Sequence, residues 1–368
     1  MVLQWRIKIN EEKSKVVHFR KEKAKQTEYD FKLNNVTIEK TSSYKYLGIW
    51  LDENMKFNLC IKTLADSAGG ALGATINKFK SLKNVGLATF TKLYKCAVNP
   101  ILEYGSSVWG FNKAPEIDLI QNRAMRFFLG VHKYTPIDGM LGDMGWCKPH
   151  VHRNLGIIRF WNRMIEMDEN RLTKRIFNTD YSSCHDNWCS KTLKLLQDIN
   201  SSDSFYLKQT LNLTYVENTL IENFKTKWKC DIAKKTKLRT YVTFKKEFET
   251  EHYVKHCQIR TNRSIMAQFR LGILPIKIET GRFKNIPADQ RFCETCTPEI
   301  ENEQHVLLKC TLYEIERDTL FRKARNCNTN FDTLNEDAIF SFLMTHIWKS
   351  TNKFLVDAWH IRQNIMYV

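Results

Sequence analysis

The sequence predicts a mainly α-helical chain with a small antiparallel β element at its N-terminus and a compact module near its C-terminus, an α+β fold. Three observations predict it. Apolar and polar residues alternate, with the period of a strand, only before about Asp52. Beyond that residue, apolar side chains recur every three or four positions, which is the period of a helix. Finally, three cysteines and one histidine lie close together within residues 293–310.

The composition indicates a folded protein with a polyanionic partner. The 368 residues are 43% hydrophobic, enough to bury a core, and their formal net charge is +17. A positive surplus favours a polyanionic partner, with RNA or DNA ahead of an anionic membrane. The N-terminus places Lys and Arg where a secretory signal needs apolar residues, and no apolar run of about 18 residues occurs. We expect an intracellular chain, in the nucleus or the cytoplasm, that is neither secreted nor membrane-spanning.

The N-terminal β element is predicted from two stretches. Residues 29–33 alternate apolar and polar, Asn34-Asn35 supplies a turn, and residues 36–38 resume the alternation, which is typical of a hairpin. Residues 43–49 continue as a third strand with Gly48 near its end. Such strands, if unsupported, expose edges that favour aggregation.

Helices are predicted next. Apolar residues from Phe57 to Phe79 follow one face of a long helix, residues 90–97 form a second helix that Pro100 stops, and residues 117–128 form a third. Short connections between them indicate a bundle. Residues 135–200 stay helical, with breaks at the glycine-rich segment 139–145 and at Pro149. The Ser/Asn/Asp-rich stretch 200–216 is predicted to be a linker, and residues 336–363 one or two amphipathic helices.

The region 225–270, called the basic zone below, carries 13 Lys and Arg against 4 Asp and Glu. Its aromatic residues are interleaved with the cations: Trp228, Tyr241, Phe244 and Tyr253. Basic residues alternating with aromatic ones indicate phosphate contacts combined with base stacking. The alternative is an ordinary solvated helix surface.

The strongest motif is Cys293-x2-Cys296, followed by His305 and Cys310. A Cys-x2-Cys spacing lets a tight turn direct two thiolates at one ion, and the later pair completes a tetrahedral Cys3His set. Four protein ligands leave no open position, so the predicted role of the zinc ion is structural. His305 and Cys310 are five residues apart and would not share a helix face. We therefore expect a break between them, with a helix that begins near or after Cys310.

The residues beside these ligands, 291–292 and 306–308, are expected to form a small core over the metal. The alternative is that the four ligands are unrelated side chains. Two weaker groups, Cys147/His150/His152 and Cys184/His185/Cys189, lack an obvious fourth ligand. His252 and His256 share a helix face, where solvent exposure is more typical than metal binding.

Catalytic motifs are missing from the sequence. It has no Gly-x-x-x-x-Gly-Lys, no Gly-x-Ser-x-Gly and no His-Glu-x-x-His segment, and it has no adjacent pair of aspartates. Two-metal phosphoryl transfer needs clustered carboxylates. No reaction is therefore predicted for the chain as it stands.

An ordered set of motifs resembles the C-terminal part of the polyprotein of non-LTR (LINE-like) retrotransposons. Tyr44-Lys-Tyr-Leu-Gly-Ile resembles that family's primer-grip strand, and Arg291-Phe-Cys293 with Glu301-Asn-Glu-Gln-His305 resembles its terminal zinc-binding segment. The remaining matching segments are residues 5–15, 99–110, 120–130, 142–146, 269–283 and 310–317. The similarity covers nearly the whole chain and is vaguest over residues 200–260.

The resemblance implies an RNA-directed DNA polymerase that uses magnesium held by palm aspartates. Those aspartates belong upstream of Trp5, so the chain is expected to be a remnant that does not polymerise, needs no magnesium and keeps a structural zinc. It also implies five parts: a palm remnant with primer-grip-like strands (1–52), a thumb-like bundle (53–135), a helical connector with the basic zone (136–260), a zinc-binding module (261–330) and C-terminal amphipathic helices (331–368).

The expected activity is non-specific binding of RNA or DNA. The candidate contacts are Lys78, Lys80, Lys83, Arg123, Lys227, Lys234, Lys235, Arg239 and Arg270. Two alternatives stay open: a domesticated nucleic-acid-binding adaptor, and a zinc-stabilised protein-interaction module whose charge serves only solubility. Nothing in the sequence indicates an oligomeric state.

Overall fold

The computed structural model describes residues 9–82 and 84–366, so Trp5 and Lys83 lie outside the described residues. Strand β1 (Lys32–Leu33) pairs antiparallel with β2 (Val36–Thr37). The turn residues Asn34 and Asn35 have φ angles of 47° and 63°. A tight hairpin turn requires positive φ, and asparagine adopts it more readily than most residues. The predicted hairpin is confirmed.

The prediction of a single third strand over residues 43–49 is wrong. The segment contributes to a second hairpin, in which β3 (Ser43–Tyr46) pairs with β4 (Ile49–Asp52). Leu47 and Gly48 form its turn with φ angles of 46° and 88°. Leu47, the residue just before Gly48, is apolar, so the sequence pattern did not indicate a turn here. The hydroxyl of Tyr104 donates to the Leu47 carbonyl at 2.7 Å, which fastens this turn to the helical part.

The predicted long helix is confirmed as α1 (Asn58–Ser81). The second helix does not stop at Pro100. It runs from α2 (Leu87–Leu93) through a π-helical turn (Tyr94–Val98) into α3 (Asn99–Leu102). Proline disrupts a helix because it lacks an N–H and its ring crowds the preceding turn. Here Pro100 lies in the first turn of α3, where the missing N–H costs little.

The following helices are α4 (Ser106–Trp109), α5 (Pro115–Leu129) and α6 (Ile137–Met144). Helix α5 confirms the predicted third helix. The break predicted over residues 139–145 is wrong, because α6 occupies most of that segment. Its glycines serve packing: a Cβ on Gly142 would lie 2.5 Å from both Trp228 Cζ2 and the Tyr241 hydroxyl. Only glycine allows α6 this close approach.

The middle of the chain contains α7 (Pro149–Glu166), α8 (Leu172–Ser183), α9 (Trp188–Asp198), α10 (Ser202–Tyr206) and α11 (Leu213–Ala233). Pro149 begins α7 rather than breaking a helix. The linker predicted over residues 200–216 is also wrong, because Phe205 and Leu211 are buried. Trp161 on α7 donates its indole N–H to the Gln209 carbonyl at 3.1 Å. The polar composition of residues 200–216 suggested a linker and gave no sign that this segment packs against α7.

The C-terminal third contains α12 (Tyr241–Phe244), α13 (His252–His256), α14 (Arg260–Arg270), α15 (Lys277–Phe283), α16 (Glu303–Leu308), α17 (Glu314–Cys327), α18 (Glu336–Thr345) and α19 (Trp348–Met366). The last two confirm the predicted amphipathic helices. The fold is therefore mainly α-helical with a small antiparallel β element near the N-terminus, as predicted.

A single cluster of buried hydrophobic residues extends from Phe57 to Ala358. Helix α5 packs on α1, α11 packs on α7, and α14 packs on both α5 and α19. Helices from the predicted thumb, connector and C-terminal parts thus share one core, and the boundaries assigned to those parts stay predictions. Within the described residues, no helix combines the length and apolar character that a membrane crossing requires.

Candidate metal centre and basic cleft

Four side chains predicted as metal ligands meet at one point in the structure. The ligand atoms of Cys293, Cys296, His305 and Cys310, called the Cys3His cluster below, all lie within 4.8 Å of one another. The Sγ atom of Cys310 is 3.8 Å from that of Cys293 and 3.9 Å from that of Cys296. The predicted convergence of these four residues is confirmed.

Local hydrogen bonds fix the first two ligands. A short antiparallel bridge joins Phe292 to Ile300 and folds the intervening residues into a tight loop. Inside it, the Cys293 amide donates to the Glu299 carbonyl at 2.7 Å, and the Glu299 amide donates to the Cys296 carbonyl at 2.8 Å. The loop therefore presents both thiols on the same side, as a Cys-x2-Cys spacing allows.

Helix α16 supplies the third ligand. The side chain of Asn302 caps its N-terminus by accepting from the His305 amide at 2.8 Å. The helix ends at Leu308, and the Cys310 amide donates to the His305 carbonyl at 2.8 Å. A 3-10 turn and α17 follow Cys310. The predicted break between His305 and Cys310, with a helix after it, is confirmed.

The geometry fits a tetrahedral ion. A zinc–sulfur bond of ~2.3 Å in a tetrahedral site places neighbouring sulfur atoms about 3.8 Å apart, close to the two separations observed. Cys293, His305 and Cys310 are buried, and neither ring nitrogen of His305 has a hydrogen-bond partner within the described part of the chain. A buried imidazole without partners is costly. A bound cation would satisfy it.

The pKa values of two thiols in the Cys3His cluster are shifted, in opposite directions. Burial, together with the two neighbouring cysteines, raises the pKa of the Cys310 thiol to about 12. For Cys296 burial alone would raise the thiol pKa, but hydrogen bonds outweigh it and lower the pKa. Chief among these are bonds from the Thr311 hydroxyl at 3.2 Å and the Thr311 amide at 3.4 Å. A divalent cation would stabilise all three thiolates and release their protons.

The predicted core over the metal forms only in part. Val306 and Leu307 are buried on the inner face of α16, but Phe292 is 38% exposed. Arg291 instead turns inward and donates to the backbone carbonyls of Ile278 and Ile286. A polar side chain therefore makes the inward contacts that the sequence had assigned to an apolar core.

Two buried carboxylates attach the Cys3His cluster to the rest of the protein. Glu301 accepts from Arg362 of α19 at 3.0 Å and from the Lys277 amide at 2.6 Å. Glu303 accepts from Arg239 at 2.6 Å. All three partners come from outside residues 291–310. The cluster is thereby held to α19 on one side and to the basic zone on the other.

No second cluster with this geometry occurs among residues 9–82 and 84–366. The weaker groups around Cys147 and Cys184 are not assembled into one. His252 and His256 stack their rings on α13 with centroids 6.1 Å apart.

Predicted nucleic-acid contacts fall into three groups. Lys78, Lys80, Arg123, Lys227, Lys234 and Lys235 are exposed. Arg239 is half-buried and pairs with Glu303. Arg270 is only 1% exposed, so its assignment as a nucleic-acid contact is wrong. Arg270 is the last residue of the basic zone in sequence, but the fold turns its side chain into the core.

Arg270 belongs to a second buried polar group, called the Arg270 centre below, formed by Asp143, Tyr241, Lys245, Glu251, Tyr253 and Arg270. Asp143 accepts from Arg270 Nε and Nη2, both at 3.1 Å, and from the Tyr253 hydroxyl at 2.6 Å. Glu251 lies 3.0 Å from Arg270 Nη2. Burial alone would lower the pKa of the Arg270 guanidinium, but the two carboxylates outweigh it and raise the pKa.

The aromatic residues of the basic zone do not face solvent. Trp228, Tyr241, Phe244 and Tyr253 are all buried, at most 5% exposed. The guanidinium of Arg270 lies 4.5 Å from the centre of the Phe244 ring. The prediction that these rings stack on bases is therefore wrong, because all four pack in the core.

A basic cleft of about 1020 Å³ opens between α1, α5, α14 and α19. Its cations are Lys80, Arg123, Arg126 and Arg260, and its polar and aromatic walls include Asn262, Gln268, Gln363, Phe127, Trp359, His132 and His360. Among the described residues that line it, none is Asp or Glu. Lys80 and Arg123 were predicted as contacts. Arg126, Arg260 and Trp359 were missed, although Arg126 lies one helical turn after Arg123.

Comparisons with protein-family models, with curated proteins and with solved structures find no match to this chain.

Proposed function

We propose that this protein binds nucleic acid through the basic cleft. The observation that supports the proposal most is the absence of carboxylates among the described residues of a cleft with four cations. Some cations elsewhere pair with acids, as Lys229 does with Glu247 at 3.1 Å. Phosphates would supply the counter-charge that the cleft lacks.

We propose zinc as the ion of the Cys3His cluster. Three thiolates and one imidazole are a typical zinc ligand set, and with four protein ligands the ion serves structure rather than catalysis. The zinc would stabilise residues 291–310, which in turn hold α19 through Glu301 and Arg362. Helix α19 forms one wall of the basic cleft, so the metal supports the binding surface indirectly.

We also infer that the chain derives from the C-terminal part of a non-LTR retrotransposon polymerase and that residues 1–368 do not themselves carry its catalytic centre, with a domesticated nucleic-acid-binding adaptor as the alternative. The ordered motifs and the convergence of the Cys3His ligands support this. No magnesium-dependent extension is expected, because the sequence has no adjacent aspartates. Incubation with template, primer, magnesium and deoxynucleotides tests it, and clear primer extension would refute the inference.

A salt titration tests nucleic-acid binding. Labelled RNA and DNA oligonucleotides are titrated with the wild type and with the double variant Arg123→Gln/Arg126→Gln. Loss of two phosphate contacts is expected to flatten the slope of log affinity against log salt by about 1.4–1.8. The matched control is Lys62→Gln, which removes an exposed cation from α1 outside the cleft. Binding that is absent, or equally affected by the control, contradicts the proposal.

A further inference from the structure

We propose that the basic cleft selects a single strand of RNA or DNA, with an unpaired base stacked on Trp359 and the adjoining phosphates held by Arg123 and Arg126. This rests on the proposed function, because it specifies the form of nucleic acid that the same cleft takes. Three features of the cleft support it: the arrangement of its cations, the accessibility of one aromatic ring, and the rigidity of its floor.

The cations of the cleft come from three helices. Arg123 and Arg126 are one turn apart on α5, Lys80 lies in the last turn of α1, and Arg260 begins α14, where it donates to the Phe127 carbonyl of α5 at 3.5 Å. Arg123 is exposed and Arg126 is half-buried, so a phosphate in the cleft can reach both guanidinium-bearing side chains. The lining therefore suits a sugar–phosphate backbone that runs along the cleft.

The two large aromatic side chains that line the cleft, Phe127 and Trp359, differ in how far other side chains already cover them. The guanidinium of Arg260 already covers Phe127 at 4.9 Å from the ring centre, and Phe90 lies 6.0 Å from it on another side. Trp359 is only partly buried, between the exposed His360 and the core side of α19. Because Trp359 lines the cleft and is only partly buried, part of this side chain is accessible there, beside the cations that would hold the sugar–phosphate chain.

The floor of the cleft is fixed by hydrogen bonds. Ser264 and Gln268 of α14 both donate to the Gly130 carbonyl at the end of α5, at 2.5 and 3.4 Å. Arg263 donates to the Phe128 carbonyl at 2.9 Å and covers the Phe128 ring at 4.0 Å. These bonds hold α5 and α14 together, so the arginines on these two helices are positioned before a ligand arrives.

An accessible ring favours a single strand over a duplex. In a duplex the faces of the bases are covered by their neighbours, whereas an unpaired base can leave the stack and lie on an aromatic side chain. Basic grooves that combine cations with stacking rings are typical of single-strand binders. A surface specialised for duplex backbones needs cations but gains nothing from Trp359.

The experiment compares three probes of equal length: an oligo(dT) strand, an oligo(rU) strand and a DNA duplex. Their affinities are measured by fluorescence anisotropy for the wild type, Trp359→Leu and Trp359→Phe. Leucine keeps apolar packing but removes the ring face, whereas phenylalanine keeps a ring. We expect Trp359→Leu to weaken single-strand binding on the order of tenfold, with the salt slope unchanged, and Trp359→Phe to stay near the wild type. The two single-strand probes decide between DNA and RNA.

Each outcome is decisive. Duplex binding as tight as single-strand binding, or a Trp359→Leu variant with wild-type affinity, overturns the single-strand assignment while nucleic-acid binding stands. Salt-dependent binding of none of the probes overturns both proposals. If Trp359→Leu does not fold, quenching of tryptophan fluorescence by oligo(dT) replaces it: the wild type should be quenched more than Trp359→Phe, and equal quenching contradicts stacking on Trp359.

Discussion

The Arg270 centre and the Cys3His cluster are both buried groups of polar side chains, yet they differ in how their charges are balanced. In the Arg270 centre two carboxylates meet one guanidinium and one buried lysine, and Asp143 also accepts from two tyrosine hydroxyls. In the Cys3His cluster three thiols face an imidazole whose ring nitrogens lack partners in the described chain. One group pairs its charges with protein atoms alone, and the other has the donor set of a site that requires a cation.

The comparison distinguishes two ways to place polar atoms inside a protein. Buried charges are tolerated when they are paired and hydrogen-bonded, and breaking such a pair costs more than the pair contributes. A metal site instead gains its stability from a ligand in solution, so its region is stable only when the ion is supplied. The two centres should therefore respond to different perturbations.

Loss of the metal should have the largest effect. Structural zinc contributes about 10–16 kcal/mol of apparent binding energy in small modules, and without it the region around residues 291–310 should unfold. We expect native mass spectrometry to detect one zinc ion in the wild type and none in Cys310→Ser, which should also be cleaved faster by protease. The control Cys327→Ser changes an exposed thiol outside the cluster. A wild-type chain that contains no metal and resists protease in chelator contradicts the assignment.

Breaking the Arg270 centre should have the next largest effect. Asp143→Ala leaves the Arg270 guanidinium short of one carboxylate and the Tyr253 hydroxyl without its acceptor, while the Tyr241 hydroxyl keeps only the Gly139 carbonyl at 3.2 Å. We expect the free energy of unfolding in urea to fall by about 3–5 kcal/mol, with zinc content unchanged. Asp66→Ala, at an exposed position on α1, should change it by less than about 0.5 kcal/mol. Equal effects of the two variants would show that the centre does not stabilise the fold.

A steric change beside the Arg270 centre should have a smaller effect. Gly142→Ala forces Trp228 and Tyr241 to move, because the new Cβ would lie 2.5 Å from each. We expect a loss of about 1–3 kcal/mol in urea unfolding. Gly70→Ala on α1 is the matched control: nothing lies within 4 Å of its added Cβ. That variant should be more stable by about 0.5–1 kcal/mol, and a loss of similar size in both would contradict close packing at Gly142.

The smallest expected effect is on the helix that carries His305. Asn302→Ala removes the cap of α16 and should cost about 1 kcal/mol. Because the capped amide is that of His305 itself, zinc affinity measured by competition with a chromogenic chelator should fall as well. Asn335→Ala removes the equivalent cap of α18, where the side chain accepts from Ala338. It should lower stability similarly and leave zinc affinity unchanged. An equal fall in zinc affinity in both variants would rule out a local role for Asn302.

The two centres also differ in how far the sequence predicted them. The Cys3His ligands lie within 18 residues of one another, positions 293 to 310, so spacing and ligand chemistry were enough to identify them and the break after His305. The Arg270 centre joins Asp143 to residues about a hundred positions later. No local pattern shows which cation a buried acid will pair with, so Arg270 was assigned to the surface and α6 was taken for a break.

The basic cleft lies between these cases. Lys80 and Arg123 were predicted as phosphate contacts of the thumb-like helices. Arg260 and Trp359 join them only because α14 packs on both α5 and α19, a tertiary arrangement that helical periodicity does not encode. The aromatic residues of the basic zone show the converse error: these rings, interleaved with cations in sequence, are buried, and the cleft is lined by Phe127 and Trp359 from other parts of the chain.

Helix α19 serves two separate sites with residues less than one turn apart. Trp359 lines the cleft while Arg362 neutralises Glu301 beside the Cys3His cluster. A change that displaces this part of α19 would therefore alter the cleft and leave a buried carboxylate without its cation at the same time, so damage to either site should be felt at the other.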